Sequence, residues 1–135
     1  MIASIADAIA GVVEQEDFVY GWRVSVAGEP VGPDDAITFY DTGGNPAIQT
    51  GINLREPSIQ VRVRARSYVN AMDMQQQIHK FLSVDNTEHT VGGGRVVGAW
   101  LQSDIMSIGR DDANRYLTTA NYRVIYHDME EYENE

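Results

Sequence analysis

The sequence predicts an α+β domain: a single mostly antiparallel β-sheet with two α-helices packed on one face and a long β-hairpin. Three observations predict it. Residues 58–66, SIQVRVRAR, alternate strictly between apolar and polar, the period of a half-buried strand. Residues 68–82 then switch to a helical period, so a strand runs directly into a helix. Two β-rich segments, 95–103 and 115–126, flank a polar, acidic tip and predict an antiparallel hairpin.

The elements follow in order. Ile2, Ile5, Ala6, Ile9, Val12 and Val13 form an apolar stripe with Asp7 and Glu14 off it, which predicts an amphipathic helix over 2–14. Gly11 weakens its last turn by up to about 1 kcal/mol. The aromatic and β-branched run 18–26, FVYGWRVSV, predicts a strand, and AGEPVGPDD after it is dense in turn signals. A short strand is predicted over 36–40. Residues 41–57, with three glycines and two prolines, keep no period and are expected to be a long loop. In the strand at 58–66, Ile59, Val61, Val63 and Ala65 take one face; Gln60, Arg62, Arg64 and Arg66 take the other. The second helix carries Ala71, Met74, Ile78, Phe81 and Leu82 on its stripe, with Ser67 as its expected N-cap. Residues 83–94 are polar and glycine-rich. The strand at 95–103 is expected to bend at Gly98. A short apolar piece, Ile105 to Ile108, precedes the tip GRDDANR. In the last strand Tyr116, Thr118, Ala120, Tyr122, Val124 and Tyr126 share a face. We read one domain over 1–128 and an acidic tail over 129–135.

Composition narrows the function classes. A chain of 135 residues buries roughly two-thirds of its unfolded surface and needs no staple. Hydrophobic residues at 43% and charged residues at 22% argue against wholesale disorder. The absence of cysteine excludes disulfides, thiol catalysis and cysteine-ligated zinc. The apolar runs are far short of a membrane span, and the N-terminus lacks the basic region of a signal peptide, so no membrane partner is expected. Ten basic against twenty acidic residues give −10, a surface that repels phosphate backbones and excludes an external basic DNA clamp. Lys80 is the single lysine beside nine arginines. Codon preference, interface ion pairs and a salty habitat all account for that skew, and composition does not separate them.

Catalytic chemistry finds little support. His79, His89 and His127 share no metal-ligand spacing. Asp34–Asp35 and Asp111–Asp112 are acid pairs, and Asp111, Asp112 and Asn114 resemble a fragment of a calcium loop without its distal bidentate Glu. No G-x-S-x-G occurs, and neither TGG nor GGGR ends in the Lys-Ser/Thr of a phosphate loop. No cofactor or metal site is expected. The unusual constellation is Arg62-Arg64-Arg66: like charges along one strand face repel unless acids meet them. Those acids come either from the chain's own neighbours or from another subunit; a nucleic-acid track is opposed by the overall charge.

The segments AITFYDTGGNP, REPSIQVRVRARSYVNAMDMQQQIHKFL and LQSDIMSIGRDDANRYLTTANYRVIY, in this order, resemble the tail terminator (tail completion, minor capsid) proteins of long-tailed bacteriophages. Gly43-Gly44, Pro57, Gln60, Arg64, the helix at 68–82, Gly109-Arg110-Asp111 and Arg115 fall where that family's pattern has its turn, strand, helix and late "GRD" phrase. Ala113-Asn114 stands where the family often has Asn-Gly, which changes the turn. The resemblance implies a non-catalytic virion protein of the tail–neck region, assembled in the host cytoplasm. It implies a homo-hexameric ring that ends tail-tube growth, with the tail tube protein and a head–tail connector or stopper as partners and DNA only in passage through the lumen. On that reading the expected inter-subunit seam sets Arg62, Arg64 and Arg66 against Asp111 and Asp112. The loop 41–57 and the tip 109–115 are the arms expected to reach a partner ring, through Asp41, Gly43, Gly44, Asn45 and Arg110. The alternatives are another neck component, such as a head-completion or connector-adaptor protein, a small metal-dependent hydrolase using Asp34, Asp35 and Asp41, and a generic acidic binding module.

Overall fold

A computed structural model describes residues 4–45, 54–85, 89–91 and 94–128. Residues 1–3, with Ile2 of the expected first helix, the segments 46–53 and 86–88, the glycines 92–93 and the acidic tail 129–135 lie outside the described residues.

Helix α1 spans Ile5–Glu14 and helix α2 spans Tyr68–His79, continued by one π-helical turn, Lys80–Asp85. The described strands are β1 Arg23–Val26, β2 Ala36–Asn45, β3 Leu54–Ala65, β4 His89–Val91, β5 Gly94–Leu101, β6 Met106–Arg110 and β7 Tyr116–Asp128. They form one sheet in the order β1-β2-β3-β7-β5-β4, with β6 also on β7. Every pairing is antiparallel except β1 with β2. Both helices lie on one face, so the predicted α+β class holds.

The alternation of β3 does what the sequence predicts. Ile59, Val61, Val63 and Ala65 are wholly buried, beside Ile37 and Phe39 of β2 and Ala120, Tyr122 and Val124 of β7. Helix α1 adds Ile5, Ile9 and Val13 to this core, and α2 adds Ala71, Met74 and Ile78. Burial also pushes the Tyr122 hydroxyl well above its ordinary pKa, so it sits in the core as a neutral phenol. The buried Gln75 amide donates to the Val61 carbonyl at 2.8 Å and ties α2 to the sheet.

Both helix starts are capped. Ser67 accepts from the Asn70 N–H at 3.3 Å, as expected. Ser4 accepts from the Asp7 N–H, while Asp41 of β2 accepts from the Ala6 N–H, both at 3.1 Å. Two of the four unpaired amides of α1 are thus satisfied, one of them by the sheet beneath it.

Four expectations change. Residues 18–22 are not strand: Asp17–Val19 form a 3₁₀ turn, and Gly21 takes φ +86° before β1 begins at Arg23. Val19 is buried there and Phe18 stacks on Phe81 at 5.8 Å, so packing overrides β-propensity. The loop expected over 41–57 is strand at both ends: Gly43, Gly44 and Asn45 pair with Ser58, Pro57 and Glu56 beyond a bulge at Asp41/Gly43. Gly44 is required there, because a Cβ would stand 2.5 Å from the Glu56 carbonyl oxygen and φ is +91°. The apolar piece at 105–108 belongs to β6, which continues the β5 arm of the final hairpin along β7. The polar stretch 83–94 holds the short strand β4.

Candidate assembly surface

The face of the sheet away from the helices carries the outward residues of β3, and their fates diverge. Arg64 is only 4% exposed. The nine residues 27–35 that join the parallel strands β1 and β2 cross this face and cover it. The Arg64 guanidinium donates to the carbonyls of Pro30, Pro33 (2.7 Å) and Asp34 (3.2 Å). Arg115 Nη1 donates to the Val31 carbonyl at 2.8 Å, and Arg23 Nη1 to that of Gly32 at 3.4 Å. Five consecutive carbonyls, Pro30 to Asp34, are each met by an arginine.

Side chains reinforce the same end. Arg62 lies 3.6 Å from Glu29 and over the Tyr40 ring; Arg66 reaches Asp34 at 2.7 Å, and Arg115 reaches the same carboxylate at 3.5 Å. Burial pushes the Arg64 guanidinium below its usual pKa, the neighbouring Arg115 charge adds to that, and Glu29, Asp111 and Asp34 oppose it. The acids that meet the arginine face are therefore supplied within the chain. Arg62 and Arg66 remain accessible, while Arg64 is consumed internally.

The hairpin tip is built by Asp111. Its Oδ1 accepts from the Ala113 and Arg115 amides at 3.0 and 2.9 Å, and its Oδ2 pairs with Arg115 Nε at 2.9 Å. The Arg115 amide, foremost, holds the Asp111 carboxyl below its ordinary pKa. Asn114 takes φ +66°, a left-handed position that Asn tolerates, so Ala-Asn closes the turn without a glycine. Asp112 is exposed, and Arg110 stacks over Tyr116 at 5.5 Å.

The residues expected to reach a partner ring divide similarly. Asp41 caps α1, Gly43 and Gly44 shape the β2–β3 ladder, and Asn45 is the last described residue of β2. Asp34, Asp35 and Asp41 do not converge: Asp34 lies with the arginines, Asp41 at α1, and no group of three potential metal-ligating side chains occurs among the described residues. The arrangement demanded by the hydrolase alternative is not found there.

Sequence reasoning missed the exposed Trp100. Its indole folds back over Gly98, where a Cβ would stand 2.8 Å away, and Arg123 stacks on it at 5.5 Å while facing Glu56 at 3.7 Å. Val31, Met106 and Ile108 are also exposed apolar side chains. No helix among the described residues is long and apolar enough to cross a membrane. The chemistry on offer is that of contact: rigid loops, arginines and exposed apolar groups.

Residues 11–128 match the family described as bacteriophage tail terminator protein. The chain belongs to the bacteriophage tail terminator family. It is thus a phage tail structural protein, a virion component by family. A chain from a structure described as the virion of a native gene transfer agent (GTA) particle shares the terminator's fold, with TM-score 0.69 at 14% identity over 92% of this chain and 95% of that one. No curated protein matches. In this terminator the resemblance read from AITFYDTGGNP, the 58–82 strand–helix unit and GRDDANR identifies the right family, and those segments prove to be the β2 bulge, the β3–α2 unit and the Asp111 turn.

Proposed function

We propose that this protein forms a closed homo-hexameric ring at the head-proximal end of the tail tube, ends tube growth there, and joins the tail to the head connector or stopper. It acts without catalysis and is assembled into the particle in the host cytoplasm. The observation that carries this reading is the family match over residues 11–128.

The surface supports it. A small subunit closes a ring only through head-to-tail contacts between two different patches. Arg62 and Arg66 stay accessible although Glu29 and Asp34 face them, and the chain as a whole carries −10, so both signs of charge are available at the surface for such contacts. The seam draws on Arg62, Arg66 and the exposed Asp112, with Arg64 and Asp111 holding their supports from within. Gly43, Gly44, Asn45 and Arg110 belong to the long β2–β3 and β6–β7 hairpins that serve as arms toward adjoining rings, and Asp41 anchors α1 beside them. An acidic lumen lets DNA pass without counterion-release binding.

The test is add-back of purified protein to extracts assembling tails without it. Wild-type protein restores tails of uniform length that join heads; the Arg62→Glu/Arg66→Glu double variant leaves overlong or unjoined tubes. Uniform, head-joined tails in the absence of the protein would refute the reading.

A further inference from the structure

The crossover at 27–35 is held more firmly than a connection needs. Its carbonyls from Pro30 to Asp34 are engaged by Arg23, Arg64 and Arg115, and its Asp34 carboxylate by Arg66. Among the exposed residues of this scaffold, Glu29 and Pro33 included, the large apolar side chain is Val31, 94% exposed. A rigid support under an exposed apolar side chain is the form of a preorganised contact, since the ordering cost is met before binding.

A matching receptacle lies on the opposite side of the β1 edge. Asp7, Ala10, Gly11 and Glu14 of α1 and Val24 and Val26 of β1 line a concavity of about 130 Å³. Its floor is apolar and its rim acidic. Asp7 and Glu14 stand two helical turns apart and frame Gly11. Among the described residues a Cβ at Gly11 would meet nothing within 4 Å beyond its own helix and φ is not left-handed, while a mid-helix glycine weakens the helix. The missing side chain leaves the concavity open between Asp7 and Glu14.

We propose that Val31 of one subunit seats in the Gly11 concavity of a second copy of this chain, with Arg23 of the first against Asp7 and Glu14 of the second. Knob and receptacle are different patches on opposite faces of the sheet edge, so each copy offers both at once. That is the heterologous contact a ring requires. Arg66 and Arg62 already face Asp34 and Glu29 of their own chain, so the cation beside the knob that faces the rim carboxylates is Arg23, which is exposed and, among the described residues, meets only the Gly32 carbonyl. The inference rests on the ring reading of the proposed function and adds an apolar contact to the seam given there.

The chain lacks cysteine, so a Val31→Cys/Gly11→Cys double variant gives a clean cross-link. Particles carrying it, oxidised and run under denaturing conditions, are expected to show a ladder of covalent oligomers ending in a closed ring; each single variant shows none. Two variants separate assembly from folding. Gly11→Ala raises the unfolding midpoint of the free subunit yet lowers tail-joining activity at least tenfold. Val31→Asp leaves the midpoint unchanged and lowers joining by a similar factor. Rings of wild-type protein in particles, with no cross-link from the double variant and full activity of Val31→Asp, would overturn the seam and leave the ring. Particles without any ring of this chain would overturn both.

Discussion

Replacing Arg64 by Ala separates the arginines that the sequence presents as equals. The side chain is 4% exposed and its three nitrogens donate to three carbonyls of the 27–35 crossover. Hydrogen bonds to a charged group contribute about 1.5–3 kcal/mol each. Burial of the guanidinium opposes that gain, and the freed carbonyls rehydrate in part because the crossover's far side faces water. A net loss of about 2–4 kcal/mol follows. With a urea m-value of about 2 kcal/mol/M, the midpoint falls by roughly 1–2 M. Arg64→Lys recovers less than half, because one ammonium does not span three acceptors. Arg62→Ala is the control: its pair with Glu29 is 3.6 Å long and partly exposed, so it costs no more than about 0.5 kcal/mol. Urea unfolding of the three variants checks this, with amide exchange of residues 27–35 as the local readout. An Arg64→Ala midpoint equal to wild type, or Arg62→Ala as harmful as Arg64→Ala, would refute the reasoning.

Three further outcomes follow from the geometry. The folded-state pKa of Asp111 is lowered, so its contribution is complete above the ordinary carboxylate value of about 3.9 and disappears as pH falls through the lower folded value. Asp111→Asn is therefore less stable than wild type at pH 6, and denaturation curves taken down to about pH 2 show the gap closing; a gap constant with pH contradicts this. Gly44→Ala forces a Cβ onto backbone at 2.5 Å with φ +91° and costs more than about 2 kcal/mol, whereas Gly98→Ala meets only the far edge of the Trp100 ring. Gly98→Ala shifts Trp fluorescence with a loss below about 1 kcal/mol, and thermal melts rank the two. Asp41→Ala removes the cap on Ala6 and the tie between α1 and β2, lowering stability by about 1 kcal/mol, while Asp41→Asn retains most of it in the same urea assay.

Much of this fold is legible in the sequence because its signals are local. The alternation of 58–66 marks Ile59, Val61, Val63 and Ala65 as inward, and the period change at Ser67 marks where the strand becomes a helix. The final hairpin is legible for the same reason. What is not legible is long-range. Alternation says which face of β3 meets the core but not what crosses the other face, so it does not distinguish the buried Arg64 from the accessible Arg62 and Arg66. Gly43-Gly44 carries turn chemistry, yet here its positive φ values serve a bulge inside a paired strand. Asp34 looks like half of an acid pair until Arg66 and Arg115, far along the chain, are brought to it. Val31 has no sequence signal as a surface feature; its exposure follows from arginines on β1, β3 and the hairpin tip holding the loop from below.

The most direct measurement is a cryo-EM reconstruction of the head–tail junction of intact particles. The account predicts six copies of this chain in a closed collar at the tube's upper end, each subunit touching the next through dissimilar surfaces, with DNA or an open bore on the axis. A junction without such a collar, or with this chain present only as an isolated subunit, would contradict it.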